Sequence, residues 1–190
     1  MPRASADLLL PAEAPAWARG VHVAVSLERT ESGLAVRYEL SGQLTEILWP
    51  ATGKADRKAE LWRHTCFEAF VALPGANAYY EFNVAPSGDW AAYRFGGYRE
   101  RLGDPEVATP PAIELRHGDE RVVAEVGIDL RGLPRLRPGA ALELGISAVL
   151  ECQGGGALAY YALEHPAERP DFHDRRAFLV TLAPPGGRAP

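Results

Sequence analysis

From Thr65 to Leu73 the chain alternates residue by residue: Thr65, Phe67, Ala69, Val71 and Leu73 fall on one side, and Cys66, Glu68, Phe70 and Ala72 on the other. A period of two is what a half-buried strand imposes, because successive side chains point to opposite faces of a sheet. The turn Pro74 to Asn77 returns the chain as a second strand, with Tyr80, Phe82 and Val84 on one face and Tyr79, Glu81 and Asn83 on the other. A regular hairpin across that turn sets Glu68 opposite Asn83 and Phe70 opposite Glu81, so two carboxyls and an amide gather on one sheet surface. A third strand follows the turn Pro86 to Asp89, and its register is open. A slip of one residue decides whether Trp90 and Arg94 or Tyr93 and Phe95 share the face of Glu81. Charge pairing favours Arg94 against Glu81.

The same alternation recurs along the chain. Val21, Val23, Val25 and Leu27 form one apolar face, and after a turn at Gly33 so do Leu34, Val36, Tyr38 and Leu40. Leu44 to Trp49 reads as a strand ended by Pro50. Val122, Ala124, Val126 and Ile128 mark another core face, as do Leu142, Leu144, Ile146, Ala148 and Leu150. Ile128 to Gly139 has room for one short helical turn capped by Asp129, redirected at Pro138-Gly139. Ala159 to Leu163 and Phe178 to Leu182 close the system. No stretch carries a sustained helical stripe. Roughly ten strands are too many for one flat sheet, so the expected fold is all-β, a two-sheet antiparallel β-sandwich. The expected organisation is an irregular lead-in over residues 1–20 pinned by Trp17, one sandwich domain over 21–183, and a tail over 184–190 with the composition of disorder.

Composition narrows the function classes. At 190 residues and 47% hydrophobic content the chain can bury one substantial core. A formal charge of −5 leaves no basic stripe for phosphates, which argues against nucleic acid and against an anionic membrane surface. No run approaches the roughly 18 apolar residues of a membrane helix, and Leu8 to Leu10 is too short for the core of a signal peptide. The expected address is cytoplasmic, with Cys66 and Cys152 as free thiols. Oligomeric state is not legible.

Two constellations could carry chemistry. The first is the mixed hairpin face: Glu68, Glu81, Asn83 and Arg94, with Tyr79 and Trp90 nearby. Carboxyls and amides bond paired hydroxyls while aromatic faces take the C–H side of a sugar ring. The bland alternative is an ordinary solvent-facing sheet surface. The density of rings, with Trp62, Tyr80, Tyr93, Tyr98, Tyr160 and Tyr161 besides those named, favours a site. The second runs from Glu164-His165-Pro166 to Asp171, His173 and Asp174, types that could ligate a metal or do acid–base work, at spacings diagnostic of neither. A Pro-braced loop at the rim of a ligand site accounts for it better. No GxSxG elbow, P-loop or GxGxxG motif is present, so no catalytic class has support.

The segments LWRHTCFEAF (Leu61 to Phe70), YYEFNVAPSGDWAAYRF (Tyr79 to Phe95), Tyr98-Arg99, YYALEHP (Tyr160 to Pro166) and PDFH (Pro170 to His173) together resemble a DOMON-like domain of the group related to family 9 carbohydrate-binding modules. The resemblance spans about Val21 to Leu182. It implies a jelly-roll β-sandwich that binds sugar or haem and catalyses nothing, with calcium sometimes stabilising the fold. On the matching positions it points to Trp62, Glu68 and Asn83, and Tyr161 stands where a Trp often occurs in relatives. His/Met ligation of haem does not fit, since the only methionine is Met1; His64, His165 and His173 are then the candidate haem ligands. The resulting expectation is a non-catalytic module for a small-molecule or oligosaccharide ligand, a carbohydrate or sugar-derived metabolite. Trp62, Trp90 and Tyr161 would stack, Glu68, Glu81 and Asn83 would bond hydroxyls, and Arg94 or Arg99 would take an anionic group, with no cofactor that a motif supports. The alternatives are a haem or metal site, a small metal-dependent hydrolase on His165, Asp171 and His173, and an interaction domain that meets a protein partner through exposed aromatics.

Overall fold

The computed structural model describes residues 1–137 and 139–186, so the expected turn at Pro138 and the last four residues of the expected tail lie outside the described residues. Twelve strands form among those residues: β1 (Arg3–Leu8), β2 (Val21–Arg29), β3 (Gly33–Gly42), β4 (Cys66–Ala72), β5 (Tyr79–Val84), β6 (Trp90–Phe95), β7 (Arg101–Gly103), β8 (Ala112–His117), β9 (Arg121–Asp129), β10 (Leu142–Glu151), β11 (Leu158–Ala162) and β12 (Val180–Leu182). They divide into a five-stranded sheet, β1-β2-β3-β9-β8, and a seven-stranded sheet, β11-β10-β4-β5-β6-β7, in which β12 also pairs with β10. The protein is an antiparallel β-sandwich.

The alternating apolar faces meet between the sheets. Val23, Val25 and Leu27 of β2 and Val36, Tyr38 and Leu40 of β3 pack against Phe67, Ala69 and Val71 of β4 and Leu144, Ile146 and Ala148 of β10 in one continuous core. Tyr38 ties the layers together: its ring centroid lies 4.6 Å from that of Phe67, and its hydroxyl donates to the Glu68 backbone carbonyl at 2.9 Å. Glu68 is thereby held from below, by the opposite sheet.

Three segments differ from the sequence expectation. Arg3–Leu8, expected to be irregular, pairs with β2 along its whole length, and Ala4, Ala6 and Leu8 turn inward. Alanines and serines give too little contrast for the alternation to show. Leu44 to Trp49 is not a strand. Leu44–Glu46 is a short 3-10 turn, and the segment crosses between sheets, with the Gln43 N–H on the Gly20 carbonyl and the Leu48 N–H on the Glu151 carbonyl. Ile128 to Leu136 completes β9 and continues as turns, with Asp129 accepting from the Arg131 backbone N–H. Cys66 and Cys152 are free thiols, as expected.

Candidate functional site

The outward face of the larger sheet is where polarity concentrates. Its strands pair in register, so successive rungs can be read across β10, β4, β5 and β6. One rung is Ser147, Glu68, Asn83, Ala91; the next is Gly145, Phe70, Glu81, Tyr93; the third is Glu143, Ala72, Tyr79, Phe95. The hairpin pairs Glu68 with Asn83 and Phe70 with Glu81, as the short turn predicts. Although this face points away from the sandwich core, Glu68, Glu81 and Asn83 are only 2%, 5% and 0% exposed.

Loops from distant parts of the chain cover the face. Phe178 lies on it, with ring centroids 5.7 Å from those of both Phe70 and Tyr79. It has room because the neighbouring β10 position is Gly145, where a Cβ would stand 2.8 Å from the Phe178 ring. Beyond Phe178 a pocket of about 630 Å³ remains open. Glu68, Phe70, Glu81 and Val149 belong to its floor strands, while Trp62, Tyr160, Phe172 and the guanidinium-bearing Arg99, Arg101 and Arg169 come from the surrounding strands and loops. Glu60 and Arg99, the two non-glycine residues with positive φ (61° and 55°) among the described residues, both line it. L side chains enter that region at a cost, and such strain tends to collect at ligand sites.

The floor is a hydrogen-bonded array of mostly uncharged groups. Glu68 accepts from the Ser147 hydroxyl at 3.2 Å and from the Cys66 thiol at 3.4 Å. Glu81 accepts from the Asn83 amide at 2.8 Å, which leaves the buried Asn83 Oδ1 without a partner among the described residues. Burial raises the pKa of both carboxyls, and the charge of Glu81 raises that of Glu68 further, so the pair holds protons that exposed carboxylates would have lost. Burial also keeps the Cys66 thiol protonated.

His173 stands above this array. Its ring sits edge-on to Phe70 and Phe95, at centroid distances of 5.3 and 5.0 Å. The Tyr79 hydroxyl, its phenol raised to about 12 chiefly by burial, shares a hydrogen bond with His173 Nδ1 at 2.8 Å. His173 Nε2 faces Glu81 Oε2 at 3.8 Å, too far for a direct hydrogen bond. Burial, and then the Arg99 charge, push the imidazole down to about 4. The floor therefore combines two carboxyl groups whose burial favours the proton-bearing form, a buried imidazole and the free acceptor Asn83 Oδ1.

Of the fourteen residues expected from sequence, Trp62, Glu68, Glu81, Arg99 and His173 line this pocket, and Tyr79 and Asn83 support its floor. Tyr98 and Asp171 act one step back: Asp171 accepts from the Tyr98 hydroxyl and from Arg99 Nη2, the latter at 2.9 Å, and orients the arginine. The other five lie elsewhere. Ala85 and Asp89 bond to each other across the turn, Gly88 takes φ of 93°, and Val84 then pairs with Trp90. That register sets Tyr93 opposite Glu81 and Arg94 opposite Tyr80, so Trp90 and Arg94 point to the inner face and Trp90, 8% exposed, joins the core. Tyr161 is also inward, its hydroxyl donating to the Ala18 carbonyl at 2.8 Å. His64 pairs with Glu151 on the surface, and His165 Nε2 bonds the Leu9 carbonyl.

His165, Asp171 and His173 therefore do not converge, and among the described residues no group of three His, Cys, Asp or Glu side chains is placed to hold a metal ion. Sequence reading did not single out Arg101, Arg169 or Phe172, although the last two lie in the Pro-braced segment expected at the rim of a ligand site. Phe172 lies within the PDFH segment and Arg169 directly precedes it; nothing local marks Arg101. A second depression, about 740 Å³, lies on the outer face of the smaller sheet. Its charges satisfy each other, as in Arg3–Glu28 and Arg37–Glu125, and it lacks buried ionisable groups.

No family model matches the chain, and no curated protein matches it significantly. Solved structures do. A protein from Bacteroides uniformis, named as a candidate carbohydrate-binding protein, superposes with TM-score 0.63 at 15% identity over 92% of this chain and 83% of that one. A family 9 carbohydrate-binding module from Caldicellulosiruptor kristjanssonii in complex with glucose gives TM-score 0.54 at 11% identity, over 96% and 85% of the two chains. A family 9 module from the same organism in complex with cellotriose gives 0.48 at 10% identity, over 84% and 71%. At these identities the likeness is one of fold: this chain is similar in architecture to the family 9 modules.

Proposed function

We propose that the protein is a non-catalytic carbohydrate-binding module, of DOMON-like kinship, that takes a sugar or short oligosaccharide in the pocket on the outer face of its larger sheet. The observation that carries this reading is the pairing of a buried polar floor with an open aromatic rim in one pocket. Glu68, Glu81 and the unpartnered Asn83 Oδ1 are suited to hydroxyls, and Trp62, Tyr160 and Phe172 to the apolar face of a ring. The volume, about 630 Å³, suits one or a few sugar rings. Similarity of fold to a module that holds glucose fits the same reading.

A thermal-shift screen of mono- and oligosaccharides, haem and divalent metals tests it. Ligand at 100 times its dissociation constant stabilises the native state by about 2.7 kcal/mol, a rise of roughly 5–10 °C for a protein of this size. One sugar class should produce that rise, and Trp62→Ala should abolish it. Trp62 is 42% exposed, so its removal leaves the core intact. A response to haem or metal with silence to every sugar would refute the proposal.

A further inference from the structure

We infer that the ligand is an anionic sugar, a hydroxylated ring bearing a carboxylate or a phosphate, whose charge is received by Arg99, Arg101 and Arg169 at the mouth of the pocket. This rests on the sugar-binding reading and narrows it. Three arginines line one pocket of a chain whose net charge is −5, so the mouth departs locally from the sign of the molecule. The acidic residue at the same rim, Glu60, is neutralised by Arg63 at 3.0 Å. Arg169 makes no ion pair or hydrogen bond with any side chain among the described residues.

The other two arginines are positioned yet far from saturated. Arg99 gives Nη2 to Asp171 at 2.9 Å, and Arg101 gives Nη2 to Asp104 at 2.6 Å. A guanidinium has five N–H donors in a planar fork, so most remain for an incoming oxyanion. Arg101 lies 4.4 Å over the ring of Tyr93, which lines the pocket, and such stacking leaves its edge free to bond.

Arg99 also bears a conformational cost that a surface arginine need not bear. Its φ of 55° is in the left-handed region, although Gly96 and Gly97 precede it in the same turn, and its backbone N–H meets the Tyr79 hydroxyl at 3.3 Å. The turn thus pins the arginine to the wall of the site. Below it, burial favours the neutral form of Glu68 and Glu81, while the Arg101 and Arg99 charges act on Glu81 in the opposite sense. A neutral sugar could meet these guanidinium groups only through hydroxyl oxygens, whereas an oxyanion would also pair with their charge.

Calorimetric titration of the full chain at low salt tests the inference. The probes are D-glucuronate and D-galacturonate, the 6-phosphates of glucose and galactose, the parent sugars, inorganic phosphate and acetate. One charged sugar should bind about 10-fold or more tightly than its neutral parent, since bonds to charged groups are worth about 1.5–3 kcal/mol. Whether a uronate or a sugar phosphate gives the margin identifies the anionic group. The margin should shrink with added salt and in Arg169→Gln, a substitution at an exposed position, which should weaken the charged sugar several-fold more than its neutral parent. Parent sugars that bind as tightly as both charged forms would overturn the anionic inference and leave sugar binding intact. Phosphate or acetate binding as tightly as the charged sugars would overturn the sugar reading, and no binding by any probe would overturn both.

Discussion

Glu81 is bonded by Asn83, faces His173 and shares its low-dielectric surroundings with Glu68. Its position was legible in the sequence, because a short hairpin turn fixes which residues oppose each other. Its burial was not, because the residues that cover it come from segments some twenty to ninety positions away. The burial has a thermodynamic consequence. The folded state holds the Glu68 and Glu81 protons to higher pH than the unfolded chain does, so their contribution to stability is complete below the unfolded carboxyl pKa, about 4.3, and is lost as pH rises through the folded values. His173 acts in the opposite sense. Its pKa is lowered, so its contribution is lost as pH falls from its ordinary 6.5 towards about 4. Above pH 6.5 only the carboxyl effect remains. Between there and about pH 8, below the ordinary range of thiols and phenols, stability should fall by ~1–3 kcal/mol. Denaturant melts of the wild type and of the Glu68→Gln/Glu81→Gln double variant at both pH values would show it: the variant's slope should be much flatter. Equal slopes would mean that the pair is ionised in the folded protein.

At the scale of elements, the hairpin β4–β5 illustrates what alternation can specify and β6 what it cannot. The turn into β5 is followed by residues whose polarity matches only one register. After β5, both faces of the next strand carry aromatics, so polarity does not choose between Arg94 and Tyr93 as the neighbour of Glu81. The backbone chooses, through the Ala85–Asp89 bond and the positive φ at Gly88. Gly145 is another position whose reason lies outside its own strand. Phe178, 5% exposed, fills the space a side chain would occupy, with the Arg175 guanidinium 4.2 Å over its ring. Boxed in this way, it cannot swing aside. Gly145→Ala should therefore cost about 1–3 kcal/mol through overpacking, read as a lower melting temperature. An unchanged melting temperature would show that the 174–178 segment is not seated on the sheet.

For the whole molecule, the alternating apolar faces were enough to define two packed sheets, because inward-facing Val, Leu, Ile and Phe recur every second residue in the strands that enclose the core. The pocket was not legible in the same way. It exists because the segments around Trp62, Arg99 to Arg101 and Arg169 to His173 fold over one face of one sheet, a relation that no local pattern encodes. Tyr161 and Trp90 show the converse, aromatic residues of ligand-binding type that the fold uses as core.

Backbone amide NMR tests directly whether this one face binds a sugar. The labelled protein would be titrated with the charged and neutral sugars named above. Saturable shifts are expected at Glu81, Tyr93, Phe95, Arg99, Arg101 and Phe172 to His173, with the outer face of the smaller sheet silent. Shifts centred instead on Ser26, Ala35 and Gly127, or no shifts with any sugar, would contradict binding at this face.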